Sequence, residues 1–224
     1  MRNAIVACLI MMSLTVGVSV LRATPITLYN TGIGLPDGAV DPNWTLVSSA
    51  DPSVPGPNTY VVTEGQFPLN GPWVPDSATS KWIGPMADQS TGVLPGTYTY
   101  ETTFTLPSNL SNARITGVWT TDNDGMDIIL NGVDLGYITG FTAFQNLNNP
   151  FTITSDFVPG VNTLEFVVDN GHNDGPGGSD PSRNPTGLRV ELSGEYNTVP
   201  EPVTLGLVGL GLCGMGLLRR RFLR

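Results

Sequence analysis

The chain has 224 residues, with 27 glycines, 19 prolines and only 13% charged side chains. That density of glycine and proline excludes a predominantly helical body and suits a chain of strands joined by many turns. A formal net charge of −9 excludes a nucleic-acid binder, which needs basic surface against phosphates.

Residues 1–23 read as a secretory signal peptide. Arg2 gives a short positive start, and an apolar run from Ala4 to Leu21 follows, softened by Ser13, Thr15, Gly17 and Ser19. Ala23 offers a small residue to signal peptidase, although Leu21 is bulky for its position before the cut. The run is near spanning length, so a retained N-terminal membrane helix is the alternative. Polar, strand-like sequence begins at once, which favours cleavage.

The body, 24–198, has its own charge balance. Eighteen of the 19 acids fall within it but only four of the ten cationic residues, Lys81, Arg114, Arg183 and Arg189, for a net −14. Such a charge favours solubility, resists anionic lipid and nucleic acid, and makes divalent cations natural partners. Cys8 and Cys213 both lie outside the body. It therefore has no disulfide and no thiol nucleophile, and must rely on its core, which a chain of about 175 residues can build.

Taken in chain order, the predicted strands are short and separated by turn residues. Ile26–Asn30, Trp44–Val47 and Thr59–Thr63 come first. Tyr98, Tyr100, Thr102, Phe104 and Leu106 alternate with Thr99, Glu101, Thr103 and Thr105. Ile115, Gly117 and Trp119 alternate with Thr116, Val118 and Thr120. A short apolar strand from Met126 to Leu130 ends at Asn131-Gly132, two residues that tolerate positive φ and therefore predict a hairpin. Leu164, Phe166 and Val168 alternate with polar neighbours, and so do Leu188, Val190 and Leu192. Further turn signals stand at 37–38, 95–96 and 159–160. The expected fold is all-β, a single β-sandwich or jelly roll.

Four groups of residues are candidates for chemistry. Asp122, Asp124 and Asp127 surround a glycine turn, as a calcium ion with six to eight oxygen ligands requires. The bidentate glutamate of an EF-hand loop is missing, and Asp and Asn also favour turns by local hydrogen bonding alone. The polar loop from Asp169 to Asp180 holds His172, the only histidine. Ser179, His172 and Asp174 could compose a triad, but no nucleophile-elbow pattern surrounds any serine. With one histidine and no body cysteine, a zinc site has too few ligands. Paired carboxylates could run glycoside hydrolysis, yet any pairing can be drawn from 18 acids. Among the tryptophans, Trp119 alternates with Ile115 and reads as core. Trp73 and Trp82 lie in proline-rich, loop-like sequence and are the candidate exposed platforms for stacking on sugars.

The last segment, 199–224, is a weak anchor. Val203 to Leu218 would span about 24 Å as a helix, short of the roughly 30 Å hydrocarbon core. Five of those 16 residues are glycine. Arg219, Arg220, Arg221 and Arg224 hold that end on the cytoplasmic side. Pro200 and Pro202 keep the neck extended and accessible. Val199-Pro200-Glu201-Pro202, the glycine-leucine span and the arginine cluster together resemble the PEP-CTERM sorting signal of Gram-negative bacteria. The resemblance implies passage through the inner membrane, transient anchoring, and processing by an exosortase near the Pro-Glu-Pro element. It also implies a place at the cell surface or in an exopolysaccharide-rich biofilm matrix.

Residues 96–196 carry a second, looser resemblance. A Tyr/Phe strand (Tyr98–Leu106) is followed by the acidic turn Asp122–Gly125, Ile-Ile-Leu-Asn-Gly, the aromatics Phe141, Phe144 and Phe151, a Gly160-to-Leu164 strand start, and a final Gly-Leu-Arg-Val-Glu-Leu strand. This order is similar to the galactose-binding-like jelly roll of many β-glycosidases, and implies the fold more than a sugar site. The reading is an exported, non-catalytic β-sandwich whose partner is polysaccharide. A secreted carboxylate-dependent glycoside hydrolase and a purely structural matrix protein are the alternatives. No cofactor is expected beyond the candidate calcium.

Overall fold

A computed structural model describes residues 23–171 and 183–199. The predicted signal peptide, most of the loop that holds His172, Asp174 and Ser179, and the sorting segment beyond Val199 fall outside those residues. Among the described residues no helix is long and apolar enough to cross a membrane.

Alternation becomes strand at every predicted run except the first. The strands are β1 (Thr24–Pro25), β2 (Val40–Ser48), β3 (Asn58–Val61), β4 (Ile83–Gly84), β5 (Gly96–Leu106) and β6 (Leu110–Asp122). They continue with β7 (Asp124–Leu130), β8 (Val133–Asp134), β9 (Asn149–Ile153), β10 (Gly160–Asn170) and β11 (Gly187–Thr198). Ile26–Asn30 runs beside β11 as irregular chain instead. Its contacts there come at Ile26 N–H to Gly194 O (2.9 Å) and from the Asn30 side chain, whose Oδ1 accepts the Leu192 N–H at 2.8 Å. A side chain thus takes over a bond that a ladder would supply from the backbone.

All the strand pairings are antiparallel, and the strands form one curled sheet in the order β8-β7-β10-β5-β2-β3-β4-β11-β6-β9, with β1 added at β11. Two long ladders dominate it. β5 pairs with β10 from Gly96↔Asn170 to Leu106↔Gly160, and β6 pairs with β11 from Asp122↔Gly187 onward. The short strands β3 and β4 join the two halves and let the sheet fold over. The halves then pack face to face. Phe166 of β10 meets Trp44 of β2 at 5.5 Å, Trp119 of β6 at 5.6 Å and Phe151 of β9 at 5.8 Å between ring centroids. β10 and β6 are far apart in ladder order, so these ring contacts close a sandwich. The inward residues predicted on the long strands are the core, with Tyr98, Tyr100, Ile115, Leu164, Phe166, Val168, Leu188 and Val190 fully buried.

The predicted hairpin forms at Asn131-Gly132, with φ of 51° and 80°, and pairs Leu130 with Val133. It lies at the same end of the sandwich as the β5–β6 turn. The chain enters and leaves the body at that end as well, with Thr24 opposite Tyr196 and the Val199 N–H on Asn109 O at 2.9 Å. The connections at 49–57 and 122–124 and the start of β11 lie at the opposite end.

Candidate ligand-binding groove

The two tryptophans expected as exposed platforms are buried. Trp73 is 2% exposed, Trp82 is fully covered, and their rings stack at 4.1 Å. The proline-rich segment that carries them is a strap laid across the outer face of β11. Trp73 packs on Gly187, where an added Cβ would come within 2.7 Å of its ring. Its indole N–H donates to Asp122 Oδ2 at 2.7 Å, while the Trp82 indole donates to Val74 O at 2.9 Å. With Val62 they form a second small core, to which Leu69, Val74 and Phe144 add. An indole with its N–H satisfied and both faces covered offers nothing to a sugar.

The strap also explains Arg189, which alternation on β11 would turn to solvent but which is only 3% exposed. Its guanidinium donates to Ser80 Oγ (2.7 Å), Ser77 Oγ (2.9 Å) and Pro75 O, with Glu191 Oε1 at 3.7 Å. Asp76 accepts the Trp82 backbone N–H at 2.8 Å. Burial pushes the Asp76 carboxyl up to about 6.

The acidic turn does not gather its three carboxylates into one ligand set. Asp122 is 5% exposed and holds the Trp73 indole and the Asn123 amide. Burial, reinforced by Asp124, pushes its carboxyl up to about 7 against the Trp73 hydrogen bond. Asp127 accepts the backbone N–H groups of Ile128 and Gly136, both at 2.7 Å. Asp124 opens β7 opposite Asp169. Among the described residues no three His, Cys, Asp or Glu side chains converge so as to hold a metal ion. Asp127 thus ties β7 to the chain beyond β8 through Gly136.

An aromatic surface is presented elsewhere. On β3, Thr59 and Val61 point inward and Asn58 and Tyr60 outward. Tyr60 sits in a groove of about 370 Å³ lined by Gly38, Ser53–Gly56, Asn58 and Pro85–Ala87. That volume is within the range of small-ligand sites. Proline and methionine side chains give apolar walls, and Asn58 and Ser53 give polar edges. Both walls are fixed from behind. Asp51 Oδ1 accepts Ser53 N–H (2.9 Å) and Ser53 Oγ–H (2.6 Å), and its Oδ2 holds Leu94 N–H and the Arg183 guanidinium, the latter at 2.9 Å. Burial pushes the Asp51 carboxyl up, but these bonds and Arg183 more than offset it and hold it below its ordinary value. On the other side, Ala87 O accepts Thr63 N–H at 3.0 Å and Met86 O accepts the Gln89 amide at 2.8 Å. Asn58 Nδ2 reaches the Tyr60 hydroxyl at 3.4 Å.

A second, mainly polar hollow of about 330 Å³ lies on the outer face of β6 and β11, lined by Arg114, Thr116, Ser193, Gly194 and Glu195. It has no aromatic floor. The one pair of acids set directly opposite each other across the β5–β10 ladder, Glu101 and Glu165, is on an open sheet face and lines neither hollow. Burial, and then Glu165, pushes the Glu101 carboxyl up. Tyr60 was within reach of the sequence as the outward residue of the Thr59–Thr63 run. The walls that make it a groove come from segments about 30 residues apart.

An all-β chain with a curled antiparallel sheet closed into a sandwich is what the fold defines. No family model matches the sequence, and no curated protein matches it. Solved structures do overlap it. A family 35 carbohydrate binding module from Paenibacillus barcinonensis is 14% identical, with a TM-score of 0.33 over 69% of this chain and 98% of that one. A native family 35 carbohydrate binding module from Clostridium thermocellum is 13% identical, with a TM-score of 0.34 over 77% of this chain and 98% of that one. An exo-β-1,3-galactanase from Phanerochaete chrysosporium, in complex with β-1,3-galactotriose, gives 14% and 0.30 over 70% of this chain and 30% of that one. Superpositions of that quality transfer neither ligand nor activity.

Proposed function

We propose that this protein is exported and processed at both ends, and that its sandwich is a non-catalytic carbohydrate-binding body of the cell surface or extracellular matrix. The observation that carries the binding role is the Tyr60 groove. Its aromatic ring suits the C–H face of a sugar, apolar walls flank it, and amide and hydroxyl groups at the rim suit hydroxyls. The groove lies away from the end of the sandwich where the chain enters and leaves.

The route rests on the ends of the sequence: signal peptidase acts after Ala23, the short C-terminal span holds the protein briefly in the inner membrane, and exosortase cuts near Pro200–Pro202. Mass spectrometry of the protein from its native host is expected to find a chain lacking 1–23 and ending near the Pro-Glu-Pro element. An intact chain in the cytosol would overturn the route. For the body, the full chain in mild detergent is titrated with neutral and charged oligosaccharides by calorimetry. Tyr60→Ala is expected to weaken binding about tenfold, the scale of one lost aromatic platform, and to shift melting little because the ring faces outward. Unchanged affinity in Tyr60→Ala would remove the groove from the account.

A further inference from the structure

The groove holds few groups that a sugar hydroxyl can bond. Among its lining residues only Ser53, Asn58 and Tyr60 carry polar side chains, and none is charged. The Ser53 hydroxyl donates to Asp51 Oδ1 at 2.6 Å and is left as an acceptor. The Asn58 amide donates to the Tyr60 hydroxyl at 3.4 Å, which leaves that hydroxyl its own proton. The backbone adds little. Pro55 and Pro85 have no N–H. The Gly38 N–H is on Val61 O at 2.9 Å and the Val54 N–H on Asp51 O at 3.0 Å. Met86 O and Ala87 O each already accept a bond from within the protein. Between these groups the walls are apolar and fixed. Val54 on one wall and Met86 on the other pack half-buried against the main core, and the prolines are rigid rings. Lys81 and Arg183, the cations whose partners adjoin lining residues, are engaged with Asp37 at 3.0 Å and Asp51 at 2.9 Å.

From this inventory we infer that the Tyr60 groove takes a neutral glycan whose sugars carry methyl groups, as N-acetyl substituents or as the ring methyl of a deoxy sugar, in preference to a fully hydroxylated or an acidic one. The inference rests on the carbohydrate reading above and gives it a ligand class. A plain hexose presents a hydroxyl on nearly every ring carbon. Each one turned against a proline, valine or methionine wall gives up its water and finds no partner in exchange. A methyl in the same place has no hydrogen bond to lose, and its burial strengthens binding about fourfold. The C–H face of the sugar ring remains for Tyr60, and the Tyr60 hydroxyl, the Asn58 amide and the Ser53 oxygen serve the few hydroxyls or the acetamido group at the rim. A uronate carboxylate fares worst, because it would be dehydrated beside the same walls with no free cation in the lining.

The test is calorimetry on the full chain in a non-ionic detergent without a sugar headgroup. The probes are N-acetylglucosamine and glucose tetramers of the same linkage, a rhamnose tetramer and a galacturonate tetramer. At least one of the two methyl-bearing probes is expected to bind about fourfold or more tighter than the glucose tetramer, and which of them leads identifies the source of the methyl. The galacturonate tetramer is expected to bind weakest. Met86→Gln, which keeps the length of the side chain and makes one wall polar, is expected to narrow the gap. Pro55→Ser makes the same change on the exposed part of the other wall and is expected to narrow it too, so the test survives if one variant folds poorly. Glucose or galacturonate binding as tightly as both methyl-bearing probes, or a gap that neither folded variant narrows, overturns the ligand class and leaves the groove itself standing. Failure of all four probes to bind overturns the carbohydrate reading.

Discussion

Asp122 makes the stability of this fold fall as pH rises. Its carboxyl is buried beneath the strap and titrates near 7, against 3.8 for an ordinary aspartate. The folded protein therefore holds a proton there that the unfolded chain releases. The resulting stabilisation is complete below pH 4 and is lost as pH passes 7. About three pKa units at 1.36 kcal/mol each amount to about 4 kcal/mol. Asp76 titrates near 6 and slopes the same way over a narrower window. The carboxyls held low, such as Asp51 and Asp88, act below pH 4 and leave the neutral range to the raised pair. Asp122→Asn removes the charge and keeps an acceptor for the Trp73 indole, at the loss of the bond from Asn123, about 1 kcal/mol. At pH 8 the variant should thus be more stable than the wild type by roughly 2–3 kcal/mol, or on the order of 5–10 °C in Tm for a body of this size. At pH 4 it should be slightly less stable. Tryptophan-fluorescence melting of the full chain in detergent from pH 4 to 9 reads both curves. Parallel curves for the two proteins would refute the argument.

Two other substitutions test the strap. Trp73→Ala removes a buried, stacked indole and leaves the Asp122 carboxyl facing a void, and is expected to cost about 3–5 kcal/mol by denaturant unfolding. Arg189→Met keeps the apolar stem but deletes the guanidinium that binds Pro75 O, Ser77 and Ser80. A loss of about 2–4 kcal/mol is expected, because those acceptors and Glu191 are left without their cation. An Arg189→Met protein as stable as the wild type would show that the strap is held by its tryptophans alone.

Much of the sandwich was legible because the long strands alternate strictly. β5, β10 and β11 each bury one face, and period-two patterning marks that face in the sequence. The short strands β4 and β9 were not legible, and β8 was legible only as the return of the predicted hairpin. β4 and β8 are two residues long and β9 only five, and each is a strand only because a long neighbour pairs with it. The misplacement of Trp73 and Trp82 has a similar cause. Proline-rich sequence does signal irregular chain, but it does not say that the chain lies on a sheet, and the receiving feature, Gly187, is more than a hundred residues away. Arg189 followed from the same oversight, since an outward position on β11 becomes an inward one once the strap covers it. The acidic turn was located correctly as a turn, while the roles of its acids are set by partners at Trp73 and Gly136 that spacing alone does not reveal.

Hydrogen exchange of the full chain with and without a saturating oligosaccharide, one that calorimetry shows to bind, tests the central claim most directly. Binding at the groove is expected to slow exchange in peptides covering 53–60 and 84–88 and to leave the outer face of β6 and β11 unchanged. Protection confined to that outer face, or none anywhere at saturation, would contradict a carbohydrate site at Tyr60.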